Sequence, residues 1–69
     1  MASSMNKGRY TVELFKEGGE GAGVEHVLAS NDSLSIALGL YDLHRIDHPD
    51  RLVMLCDRAR VIRRSDRPG

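Results

Sequence analysis

From residue 32 to about residue 48 the chain repeats its apolar residues with a helical period, and it does so on two sides at once. Asn31, Asp32 and Ser33 carry side chains that accept from free backbone N–H groups, so a helix is expected to start there with Asp32 as its N-cap. Pro49 ends it, because the residue before a proline is driven out of the α region, and His44, Arg45 and His48 suit the negative pole of the helix dipole. Leu34, Ala37, Leu38 and Tyr41 form one stripe on this helix. Ile36, Leu40, Leu43 and, at its edge, Ile46 form a second on the opposite side. One sheet covers only one stripe. Gly39 lies within the second, where it costs about 1 kcal/mol relative to alanine, so its use points to close approach by another element. The expectation is a symmetric homodimer that buries Ile36, Gly39, Leu40 and Leu43 against a partner helix. The alternative within one chain is a sheet that curls around the helix, or a second strand that covers it.

The segments on either side of the helix read as strands. Tyr10, Val12 and Leu14 alternate with Arg9, Thr11 and Glu13, the period of a half-buried strand, and Phe15 stands on the outer face. Residues 17–23, EGGEGAG, are too rich in glycine to pack and suit a hairpin loop. Residues 24–30, VEHVLAS, make a second strand, in which the adjacent Val27 and Leu28 break strict alternation. After Pro49, RLVMLC at 51–56 and RVIRR at 60–64 form a second hairpin around Asp57, Arg58 and Ala59. That turn has no glycine. A two-residue type I′ turn would force Arg58 to a positive φ, so a slightly longer or bulged connection is expected. The order is ββαββ, an α+β fold with a four-stranded, mostly antiparallel sheet and one helix packed on one face.

A chain of 69 residues has room for one domain, expected over 9–64 with unpatterned tails at 1–8 and 65–69. A core this small rarely supplies more than about 3–5 kcal/mol without a staple or a partner, which favours association. The single cysteine, Cys56, forms no internal disulfide, so a reducing, cytoplasmic setting is the expectation. No apolar run reaches the roughly 20 residues that span a bilayer, no signal peptide opens the chain, and no membrane partner is expected. Acids and bases balance overall, yet the halves differ: residues 1–44 carry a net −3, residues 45–69 a net +3.

Chemical motifs are sparse. His44 and His48 have the i, i+4 spacing of paired metal ligands, with Asp47, Cys56 or His26 as further candidates, but histidines near a helix end more often meet free carbonyls. No metal or other cofactor is therefore expected. The glycine-rich loop lacks the spacing and the lysine of a phosphate cradle, and Glu17 and Glu20 repel phosphate. Arg51, Arg58, Arg60, Arg63 and Arg64 give the second hairpin a basic character that points, as the second reading, to weak nucleic-acid binding. Base-stacking aromatics are missing from it, and Asp57 and Asp66 dilute it. Cys56 reads as packing, Ser30, Ser33 and Ser35 read as capping, and no catalytic constellation emerges.

The YTVELF opening, the Asn31-Asp32-Ser33-Leu34 helix start with Ala37 following, the His48-Pro49 stop and the RLVMLCDRARVI hairpin together resemble small bacterial proteins of ββαββ pattern that are common in alphaproteobacteria. The resemblance covers residues 9–64, implies the fold, and brings no activity or site residues with it. The expected function is a non-catalytic protein-interaction or homodimerisation module, with a partner the sequence does not identify.

Overall fold

A computed structural model describes residues 8–66. Four strands and one helix follow in the expected order: β1 at Tyr10–Phe15, β2 at Val24–Asn31, α1 at Leu34–Asp47, β3 at Val53–Asp57 and β4 at Arg60–Arg64. A single 3-10 turn at Gly19–Ala22 closes the first hairpin, where Gly18, Gly19 and Gly23 all hold positive φ values. The strands form one antiparallel sheet in the order β2-β1-β3-β4. The two hairpins therefore meet along β1 and β3, which occupy the centre.

Alternation along the two central strands decides what is buried. Val12 and Leu14 on β1 and Val53 and Leu55 on β3 point to the helix, where they pack with Ala37 and Tyr41. Tyr10, Leu28, Ala29, Leu38, Leu40 and Ile62 close the edges of this core. The alternate residues of β3, Met54 and Cys56, lie on the opposite face in a second buried group with Phe15 and Leu52. A strand flanked on both sides and buried on both faces has no reason to alternate, which accounts for the unbroken LVMLC run.

The irregular places in the sequence become irregular places in the sheet. Between the pairs Val12↔Ala29 and Glu13↔Val27, residue Leu28 is left without a partner, so Leu28 and Ala29 both turn towards the core. This bulge explains the adjacent Val27 and Leu28. The second hairpin closes in two residues, since Asp57 pairs with Arg60, and the register shift lies farther in, between Leu55 and Cys56. The turn is not lengthened; Arg58 takes the left-handed conformation that was expected to be avoided, with φ 57°.

The helix starts one residue later than the sequence implies. Ser33 is the N-cap, its Oγ accepting from the N–H of Ile36 at 3.4 Å. Asp32 is occupied elsewhere, for its carboxylate accepts from the backbone N–H of Arg9 at 2.8 Å and fixes the approach to β1. Asn31 accepts from the N–H of Ser33 at 2.8 Å and tightens the turn into the helix. At the other end His48 is the C-cap, its N–H donating to the His44 carbonyl.

The expected tails fall mostly outside the described residues. Of their described members, Gly8 passes so near β2 that an added Cβ would lie 2.4 Å from the Asn31 nitrogen, and Ser65 is bound to Val53 through both its N–H and its Oγ. Arg58→Gly relieves a left-handed arginine, a conformation that costs about 1–2 kcal/mol. After the extra flexibility of the unfolded glycine chain is subtracted, it is expected to stabilise the domain by roughly 0.5–1 kcal/mol, seen as a higher urea midpoint at unchanged m-value.

Candidate functional site

The most distinctive surface is the outer side of α1. The stripe through Leu34, Ala37, Leu38 and Tyr41 is the one that faces the sheet: Ala37 and Tyr41 are buried, and Leu38 packs on the core. On the far side Ile36 is 53% exposed, Leu43 63% and Ile46 64%. Nothing among the described residues covers them. Neither a curled sheet nor the second strand does so, since β2 lies at the sheet edge. Gly39 sits among these residues, and a Cβ built there would meet nothing within 4 Å. Among the described residues the glycine relieves no crowding.

The structure brings Ile36, Gly39 and Leu43 together as expected and moves Leu40 away from them, because Leu40 is half-buried and packs against the molecule's own core. Ile46 takes its place as the fourth outward residue. Its membership was legible in the spacing, since 36, 39, 43 and 46 alternate steps of three and four, the period of a helix–helix seam. Asp42 and Arg45 border the seam and are joined to each other at 2.9 Å.

The arginines of the second hairpin form no single patch. Arg51 and Arg64 lie at one end of the sheet, Arg58 and Arg60 at the other, a separation imposed by the antiparallel run of β3 and β4. Arg51 donates to the Phe15 carbonyl and is paired with Glu25. Arg64 is held by Asp66 at 2.7 Å and by Glu20 at 3.1 Å. At the turn end Arg9 binds Asp57 at 3.0 Å, with Arg58 and Arg60 nearby. The acidic first half and the basic second half thus meet inside one molecule, through Glu20–Arg64 and Glu25–Arg51. Arg58, Arg60 and Arg63 are exposed, and the Arg63 guanidinium donates to the carbonyl of Ile62 at 3.0 Å.

Most other candidate groups are likewise occupied by structure, although His44 Nδ1 is buried with no hydrogen-bond partner among the described residues. His48 Nδ1 lies 2.9 Å from the His44 carbonyl, the capping role foreseen for it, and the two imidazoles are 6.4 Å apart between centroids. Among the described residues no three of His, Cys, Asp and Glu gather as a metal would require. Cys56 is buried, and burial, with a smaller contribution from Glu13, pushes its thiol up to about 11, far from a nucleophile's range. An open cleft of about 790 Å³ runs between the first-hairpin loop and the helix C-terminus, lined by Arg45, His48, Arg51 and Arg64 among others. Each of those arginines already has a carboxylate, so the cleft offers an anion no unpaired guanidinium. No helix among the described residues is long and apolar enough to cross a membrane.

No family model, no curated protein and no solved structure matches this chain. Its own geometry is what bears on function.

The ion pairs that join the two halves make a pH prediction. A bond from Arg9 holds the Asp57 carboxyl below its ordinary value, and a bond from Arg51 does the same for Glu25. Both groups bind protons less tightly when folded. The stability they add is present above the ordinary carboxylate range near about pH 4 and is lost as pH falls through the depressed folded values. The urea midpoint is therefore expected to drop more steeply below about pH 4 for the wild type than for Asp57→Asn combined with Glu25→Gln.

Proposed function

We propose that this domain works through protein contact, as a homodimerisation module whose interface is the outer side of α1 and whose role involves no catalytic step. The supporting observation is the pairing of three exposed aliphatic side chains with a glycine that no other element among the described residues approaches. An outward helix face in a two-layer domain is ordinarily polar, because exposed apolar area gains from leaving water wherever a cover exists. A second copy supplies that cover with an identical surface. The buried, reduced thiol is consistent with the cytosol as the setting.

The expected strength follows from the same residues. Removing the remaining exposure of Ile36, Leu43 and Ile46 contributes roughly 1–2 kcal/mol for each side chain, counted on both copies. Association costs about 4–15 kcal/mol in lost freedom. Over three side chains on two copies the gain is roughly 6–12 kcal/mol, of the same order as that cost, so a weak, reversible dimer is expected.

Sedimentation equilibrium over a wide concentration range tests this. The wild type is expected to pass from monomer to dimer, and Leu43→Glu to remain a monomer with an unchanged circular dichroism spectrum. Leu40→Glu, on the half-buried flank, is expected instead to lose stability, since it strikes the molecule's own core. A wild type that stays monomeric at the highest concentrations would overturn the reading.

A further inference from the structure

We infer that the two helices of the dimer lie antiparallel about a twofold axis that passes beside position 41, with Leu43 of each copy seated over Gly39 of the other and Ile36 meeting Ile46. This deepens the homodimer reading above and rests on it.

The register is written in the seam itself. Ile36, Gly39, Leu43 and Ile46 are the outward positions of α1, and the midpoint between Ile36 and Ile46 coincides with the midpoint between Gly39 and Leu43. A perpendicular twofold axis at that point turns the seam onto itself with large residues opposite small ones. Leu43, 63% exposed, becomes the knob, and the bare backbone at Gly39, where a built Cβ meets no described atom beyond its own helix within 4 Å, becomes the hole. Each dimer contains this contact twice, as closed twofold symmetry requires. The sheets then lie outermost, with the two helices back to back between them.

The parallel arrangement fails on both shape and charge. It sets Gly39 against Gly39, which leaves a gap, and Leu43 against Leu43, which holds the backbones apart beside that gap. It also places Asp42 opposite Asp47 of the other copy along each flank, so two carboxylates share the single guanidinium of Arg45. In the antiparallel arrangement Asp47 moves to the ends, near Ser33 of the other helix. Along one flank the two Asp42 carboxylates approach each other together with both Arg45 guanidinium groups, so that the strip is neutral. Along the opposite flank the two Leu40 side chains, each half-buried on its own core, bring their exposed edges together.

Cross-linking with introduced cysteines distinguishes these geometries. Ile36→Cys and Ile46→Cys are prepared separately with the native Cys56 left in place, since that thiol is buried and the wild type serves as the uncrosslinked control. Each variant is oxidised alone and mixed with the other, and covalent dimer is read on a non-reducing gel. Antiparallel packing sets two copies of residue 36 roughly 15 Å apart along the axis, far beyond the roughly 4.4–6.8 Å between Cα atoms that a disulfide allows. The mixture is therefore expected to cross-link at least tenfold faster than either variant alone. Rapid cross-linking of each variant with itself would overturn the antiparallel register and leave the dimer standing. Failure of every combination, with a wild type that sediments as a dimer, would remove the helix from the interface altogether. A wild-type monomer would overturn both proposals. Gly39→Leu provides a second reading that does not depend on oxidation: the monomer has room for the side chain, so the fold is expected to persist while the dimer dissociates at least tenfold more readily. A dimer as tight as wild type would show that no knob enters at Gly39.

Discussion

Everything in this domain depends on the pairing of β1 with β3. Each hairpin is local and marginal by itself, but joining Val12 to Leu55 and Leu14 to Val53 merges two ribbons into one sheet with a continuous apolar face. That face is what the helix packs on. The connection from β2 to β3 passes through the helix, and the chain returns to the centre of the sheet rather than to its edge. The seam is nonlocal, so it forms only when the helix has brought the second hairpin back to the first, and sheet and helix are expected to fold as one cooperative unit.

The same seam organises the polar contacts around it. Arg9, just before β1, is held through its backbone by Asp32, the residue after β2, and through its side chain by Asp57, at the end of β3. At the opposite end Arg51, just before β3, reaches the Phe15 carbonyl at the end of β1 and Glu25 on β2. The central pair is thus clasped at both ends by arginine. These contacts are partly exposed and individually modest, yet they engage the charges that the sequence distributes so unevenly.

How much of this was legible beforehand depends on the range of the interaction concerned. The alternation of Tyr10, Val12 and Leu14, the glycines of the first loop and the Pro49 stop are local signals, and they place the elements. The two stripes on α1 were equally visible, although neither period nor composition could say which faced inward; the core chose the side on which Ala37 allows close approach to the sheet. Asp32 misled as an N-cap because its carboxylate is claimed by Arg9, 23 positions away along the chain. Leu40 misled because a wheel has no sheet beside it. The arginines of the second hairpin looked like one basic patch for a similar reason: the partners of Arg64 and Arg51, Glu20 and Glu25, lie in the other half of the sequence, and only the sheet order brings them into range.

The bulges in β2 have a consequence for what kind of assembly the molecule can join. β2 is an eight-residue edge strand with Val24 and Val27 exposed, the sort of rim along which one sheet can recruit another without limit. Its register is interrupted twice, at Leu28 and again between Leu14 and Phe15, so its free carbonyls and amides do not present an even ladder. A neighbouring strand finds no straight template to extend. Growth of a continuous sheet along the β2 rim is discouraged at its first step.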